Sequence, residues 1–199
     1  PKGWLKLKLS EFCEFENGDR SSNYPSGNDI KNSGKLFLSS GDIQNGRFRV
    51  KDSKYISQEK FDSLKRGKCR TGDVLMTLRG NGTGKSAVFN CEYKEGFINA
   101  QMVILRPDFR CLSDYLVLQL NCPPVFKRLI NLNSGSAQPQ LSASNVKDFE
   151  VFVPDIELQN QFAERVQAIE AQKAQTQKSL EKAEELFNSL LQKAFKGEL

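Results

Sequence analysis

Leu5, Leu7 and Leu9 alternate with polar neighbours behind Trp4, the period-two mark of a short half-buried strand, with Ser10 placed to cap a turn of helix after it. Leu36–Ile43 and Phe48–Val50 flank Asn45-Gly46, a hairpin signal. Asp73–Leu78, Ala87–Phe89 and the strongly apolar Phe97–Leu105 read as further strands. Helical stretches alternate with them: Ser57 to Lys65, capped by Ser57 and ended near Gly67, then Leu112–Leu120 and Pro124–Leu132, parted by Cys122-Pro-Pro124, and Leu141–Asp148, capped by Ser142 or Ser144. Asn17–Asn32 and Ser134–Gln140 are polar and turn-rich and read as surface loops. Phe149–Val153 reads as a last strand, stopped by Pro154. Strands and helices mixed in this order predict an α+β domain over residues 1–154 and a helical appendage over residues 155–199.

That appendage has a periodicity of its own. Phe162, Ile169, Thr176, Ala183 and Leu190 fall seven apart, and so do Val166, Lys173, Leu180, Phe187 and Ala194. The sets interleave at four and three, which places the second at a and the first at d of a heptad seam. No Pro and no Gly interrupts it before Gly197, so a single helix of roughly 60 Å is expected. One small domain cannot cover such a rod, and the seam calls for a partner helix. Lys173 and Thr176 are its polar positions. Polar seam residues cost stability and fix register and orientation.

Charge divides unevenly between the two parts. From Ile156 onward six basic side chains stand against seven acidic ones, which leaves 23 against 17, a balance of +6, on the first 155 residues. A basic domain beside a near-neutral rod suits a polyanionic partner. The five cysteines are scattered without a C-x-x-C, and the chain has no histidine. Reduced thiols in a cytoplasmic protein are expected, with no metal site. Lack of histidine removes the Ser–His and Cys–His nucleophilic arrangements. Asp19, Asp29, Asp42, Asp73 and Asp108 are dispersed, with no D-x-D pair of a two-metal nuclease, so no catalytic residues are expected. No apolar run approaches 18 residues, which argues against membrane insertion.

Gly82-Thr-Gly-Lys-Ser86 resembles a phosphate-binding P-loop, but the spacing fails, because Arg79 stands where the first glycine is required. The loop reads either as a glycine-rich hairpin turn or as a set of donors (Arg79, Asn81, Thr83 and Lys85) suited to phosphates or base edges. In the second polar loop Gln138 could pair with an adenine edge, or Ser and Gln could simply cap the next helix. Arg20 and Asn23 of the first loop, with Ser40 and Arg47 as weaker candidates, complete the set of expected DNA contacts.

Gly135-Ser-Ala-Gln-Pro-Gln-Leu-Ser142, then Val146, then Phe149-Glu-Val-Phe-Val-Pro154, then Glu157 and Gln159-Asn-Gln-Phe162 together resemble the specificity subunit of type I restriction–modification enzymes. Gly3-Trp4 with Leu9, Leu38-Ser-Ser-Gly-Asp-Ile43, Gly72-Asp-Val-Leu75 with Arg79-Gly80, and the closing Leu190–Leu199 fit the same family in order. The resemblance implies a non-catalytic target-recognition domain that reads one half of a split site in double-stranded DNA. It implies a spacer helix pairing antiparallel with another, formed by Phe162, Val166, Ile169, Lys173, Thr176, Leu180, Ala183, Phe187 and Leu190. It further implies methyltransferase subunits and an ATP-driven restriction (translocase) subunit as partners. S-adenosylmethionine and ATP would be held by those partners, not by this chain. The family's full subunit has two recognition domains and two helices. One of each here implies either a half-size subunit, pairing with a second copy or a sister half-subunit, or the C-terminal half of a longer one. A recognition domain from a single-chain restriction–methylation enzyme would read the same way. A coiled-coil scaffold with incidental basic charge is the alternative from another class.

Overall fold

Where apolar residues run without interruption, strands are buried on both faces. The computed structural model describes residues 3–44, 46–50, 53–80, 82–132 and 140–198. The first strands are β1 (Leu5–Lys8), β2 (Cys13–Asn17), β3 (Ile30–Lys31), β4 (Lys35–Leu38), β5 (Ile43–Gln44), β6 (Arg47–Phe48) and β7 (Lys54–Ile56). Helix α1 (Gln58–Ser63) precedes β8 (Lys68–Arg70), β9 (Val74–Thr77), β10 (Ser86–Val88), β11 (Glu95–Ile98) and β12 (Met102–Pro107). The chain closes with α2 (Ser113–Asn121), α3 (Pro123–Ile130), α4 (Ala143–Lys147), β13 (Glu150–Val153) and α5 (Ile156–Lys196).

Two larger sheets build the domain. One is antiparallel, in the order β10-β9-β12-β2, and the other has the order β3-β7-β4-β11-β8, with β11 parallel to β4. Side chains of β9 and β12 alternate between two cores. Val74, Met76, Val103 and Leu105 pack with Leu116, Leu120, Leu129 and Val146 from the helices. Leu75, Met102 and Ile104 face Leu36, Leu38, Cys69 and Ile98 of the second sheet. A strand sealed on both sides has no polar face, which explains the unbroken apolar runs. Burial at both thiols pushes Cys13 and Cys69 well above the usual cysteine range, which leaves them unreactive packing residues.

The Phe97–Leu105 run is not one strand, as its hydrophobicity suggests, but two strands in different sheets. A turn at Asn99–Gln101 divides it, with the Asn99 side chain accepting from the Gln101 N–H at 3.0 Å. The first polar loop likewise contains β3, and β2, β7 and β8 are strands the sequence pattern does not reveal.

β1 pairs antiparallel with β13, Leu5 opposite Val153, so the two ends of the domain close on each other. Pro154 stops β13, and the Asp155 carboxylate accepts the Leu158 N–H at 2.8 Å, a side-chain cap that starts α5. The chain divides into two compact units, residues 1–159 and residues 160–199. The second is continuous helix, ended by Gly197 at φ +71. Its N–H bonds to the Ala194 carbonyl and that of Glu198 to the Lys193 carbonyl, the paired closure of a Schellman motif.

Gln159, the last residue of the first unit, is fully buried. Its carbonyl accepts the Leu112 N–H at 2.8 Å, and its amide donates to the Arg110 and Pro154 carbonyls, both at 2.8 Å. Gln159→Leu leaves all three backbone groups without this partner. It should cost about 2–3 kcal/mol, read as a lower urea midpoint at unchanged slope. An unchanged midpoint would show that these bonds are not needed.

Candidate nucleic-acid interface

Four segments far apart in sequence meet around an open cleft of about 710 Å³, lined among others by Arg20, Lys65, Arg66, Arg79 and Gln140. The end of β2 comes first. A Cβ on Gly18 would lie 2.2 Å from the Asn99 carbonyl oxygen, so only glycine lets this loop press against the β11–β12 turn. Arg20 then reaches that turn and donates from Nε and Nη2 to the Ala100 carbonyl at 3.3 and 3.1 Å. Asn23 is tied inward: its amide donates to the Ser63 carbonyl and hydroxyl, and its oxygen accepts from Lys60.

Lys65 and Arg66 enter through the turn between α1 and β8. The Gly67 N–H donates to Glu16 Oε1 at 2.6 Å, and the other Glu16 oxygen takes Arg106 Nη1 at 2.8 Å. Arg106 also donates to the buried Asp73 carboxylate at 3.0 Å and to the Lys68 carbonyl at 2.8 Å. This network, laid across β2, β12, β8 and the start of β9, holds the Lys65–Arg66 turn in place. It also carries two carboxylates against one guanidinium, so neither acid is left to repel an anion at full strength.

The third wall is the start of the glycine loop. Arg79 pairs with Gln140 in an isolated antiparallel bridge. The Leu78 N–H bonds to the Gln101 carbonyl at 2.7 Å, and the Leu141 N–H to the Leu78 carbonyl at 2.8 Å. Both polar loops singled out in the sequence therefore begin or end at one point. Arg79, Lys65 and Arg66 are exposed, and none of the three forms an ion pair among the described residues. Asp19 is the one acid on the cleft wall. Hydrogen bonds from the Ser21 hydroxyl and backbone, aided by nearby Arg66 and opposed by burial, hold its carboxyl below the usual range. At neutral pH the cleft thus carries four cations and one anion. Small-molecule pockets are lined mostly by apolar side chains; polar and charged side chains outnumber apolar ones along this cleft, which suits a phosphate backbone.

The remaining candidates divide. Thr83 is only 8% exposed, and its hydroxyl donates to the Gly80 carbonyl at 2.7 Å, so it closes its own loop instead of facing outward. The loop also packs on α3: at Gly84, φ +83, a Cβ would come within 2.6 Å of Ile130 Cδ1. Lys85 is exposed, Arg47 lies exposed on β6, and Ser40 opens the 3-10 turn Ser40–Asp42 beside Gly82. Asn81 and Gln138 lie outside the described residues. Lys65 and Arg66 are the members the sequence reading missed; the signal was Lys65-Arg-Gly-Lys68, three cations in four residues. A Glu-x-Lys triplet, Glu92-Tyr-Lys94, also occurs. Among the described residues no group of three His, Cys, Asp or Glu is placed to hold a metal. No helix is long and apolar enough to cross a membrane.

On α5, Phe162, Ile169, Leu180, Phe187 and Leu190 are between 42% and 61% exposed, and Lys173, Thr176 and Ala183 are exposed as well. Val166 is half-buried.

The chain thus combines a basic cleft on a mixed α+β domain with a long helix that carries an a/d seam. Residues 1–185 match the family model described as type I restriction modification DNA specificity domain, and the chain belongs to that family. Over 204 residues it is 27% identical to the type I restriction enzyme EcoBI specificity subunit of Escherichia coli, covering all of this chain and 42% of that subunit. Its fold matches, at TM-score 0.72 and 21% identity, a chain from a structure concerned with complex assembly and conformational transition of the type I R-M system, covering 47% of that chain. It also matches the HsdS subunit from Thermoanaerobacter tengcongensis at TM-score 0.65 and 20% identity, covering 46% of it. All of this chain is covered in both structural matches. It spans under half the length of each of these relatives.

Proposed function

We propose that this chain supplies DNA sequence specificity to a type I restriction–modification complex and carries no catalysis of its own. The cleft faces duplex DNA. Lys65 and Arg66 hold phosphates, while Arg79, with Arg20 and Gln140 beside it, reads base edges of one half of a split target. Methyltransferase and restriction subunits supply the chemistry and hold S-adenosylmethionine and ATP. Two copies pair through α5 with their helices antiparallel, so that the complex reads a palindromic interrupted sequence.

The observation that supports this most is convergence. Cations from three separate segments gather on one cleft in a chain of a DNA specificity family. Arg79 is the member best suited to base reading, because its backbone is pinned on both sides by hydrogen bonds while its side chain is exposed. Base contacts need such fixed placement, whereas a phosphate contact can be made from a looser one. Arg79→Ala should therefore cost about 1–3 kcal/mol on the cognate duplex and relax preference at one position of the half-site. Binding measured against a panel of single-base variants checks this. Uniform weakening across the panel would make Arg79 a phosphate contact, and no change would remove it from the interface.

A further inference from the structure

We propose that Gln101, at the turn between β11 and β12, is a further specificity-determining residue and reads an adenine of the half-site. The proposal deepens the function proposed above and rests on it.

The turn is held by backbone atoms. The Asn99 N–H donates to the Leu38 carbonyl at 2.9 Å, and the Met102 N–H to the Asn99 carbonyl at 3.2 Å. Within the turn the Asn99 side chain accepts the Gln101 N–H at 3.0 Å, and the Gln101 carbonyl accepts the Leu78 N–H at 2.7 Å. Arg20 grips the Ala100 carbonyl, and Gly18 presses on the Asn99 carbonyl where a Cβ would not fit. Leu78, Arg20 and Gly18 all line the basic cleft, so the turn is fastened to the cleft wall.

This construction uses the main chain of Gln101 and none of its side chain. The side chain is exposed, and its amide has no hydrogen-bond partner among the described residues. Its Oε1 lies beside Gly80, where an added Cβ would stand 3.6 Å from it, and Gly80 directly follows Arg79. Other amides of the domain are committed to the protein's own backbone. Asn23 donates to the Ser63 carbonyl and Asn121 to that of Ser86. Gln119 takes both the N–H and the carbonyl of Phe152, each at 2.9 Å. Gln101 is an uncommitted amide on a fixed backbone, the arrangement a base contact needs.

The chemistry of the amide selects the base. It carries a donor and an acceptor side by side, which match N7 and the N6 amino group on the major-groove edge of adenine. Guanine presents two acceptors there, so the amide oxygen would face O6 without a proton between them. Cytosine and thymine each offer one hydrogen-bonding group. Arginine is the side chain that matches guanine, which makes the exchange of glutamine for arginine a directed change of specificity.

The test uses the chain tagged in its source cell and purified with whatever assembles on it, after a map of methylated bases has given the motif. Parent, Gln101→Ala and Gln101→Arg preparations are bound to duplexes carrying every single-base change in that motif. In the parent, one A·T pair of a half-site should be discriminated through Gln101. Gln101→Ala should lower discrimination at that pair about 10- to 100-fold and leave the other positions as they were. Gln101→Arg should transfer the preference there to G·C. Thermal unfolding should be the same in all three, since the side chain holds nothing in the fold. A parent profile retained in both variants overturns the proposal, and so does relaxation at a G·C pair. Equal weakening on every duplex, or a lowered unfolding temperature, would make Gln101 a support of the turn and not a reader. A parent without a motif overturns the proposed function itself, and this proposal with it, before either variant is compared.

Discussion

Changing Lys65 and Arg66 together to alanine is expected to weaken binding of duplex DNA about 60-fold at 0.1 M salt. The figure follows from counterion release: two phosphate contacts contribute about 1.8 to the slope of log K against log salt, which is about 10^1.8 in affinity between 1 M and 0.1 M. The pair lies on an exposed turn whose backbone is held by Gly67 and Glu16, so folding stability should hardly change. The Ser21 hydrogen bonds do most to hold the Asp19 carboxyl below its usual range, with Arg66 a lesser aid, so the double change leaves that acid's own anchoring in place. Titrations at several salt concentrations give the slope directly. An unchanged slope with unchanged affinity would take the turn out of the interface, whatever Arg79 does.

Leu180→Asp is expected to separate the two copies. Leu180 and its seam neighbour Ile169 are about half exposed in the chain by itself, and a partner helix laid on the seam would cover both. A carboxylate at that layer loses the apolar contact and must be desolvated, at about 3 kcal/mol per copy and about 6 per pair, which raises the dissociation constant about 10^4-fold. Because the position belongs to the unit of residues 160–199, the recognition domain should keep its thermal transition. Sedimentation equilibrium reads the loss. A dimer of unchanged strength would mean that the seam is not the pairing surface, and an altered domain transition would mean that the helix supports the domain's fold.

The parts of the fold legible in the sequence were those with long periodic signals. The a/d seam over five heptads made α5 plain, and the serine caps of α1 and α4 are as expected, with the Ser57 and Ser142 hydroxyls accepting the N–H groups of Lys60 and Asn145. The missed strands β7 and β8 have three residues each, too few for a period of two to declare itself. β2 was hidden for another reason. Its Glu14 and Glu16 disfavour a strand by propensity, and what holds Glu16 there is Arg106, 90 residues away, a partner no local window contains. The division of Phe97–Leu105 did have a local sign in Asn99-Ala-Gln101, three residues without a large apolar side chain, but overall hydrophobicity outweighed it.

The candidate cleft is legible by chemistry more than by position. Arg20 and Arg79 could be picked as exposed cations on loops, and the fold brings both to the same cleft. Thr83, expected as a donor on the glycine loop, turns inward, because a hydroxyl in a tight glycine turn bonds its own backbone first. Beyond the run of cations nothing local marks Lys65 and Arg66, which stand at the end of the predicted Ser57–Lys65 helix. It is the long-range packing of Gly67 against Asp19 and Phe97 that delivers them to the other cations.

A role in DNA sequence specificity is tested most directly by a map of methylated bases in the source genome, with this gene intact and deleted. With expression of the chain confirmed in the intact cells, the map should lose one interrupted motif on deletion, palindromic if two copies of this chain act together. An identical map in both strains would contradict a role in choosing DNA targets.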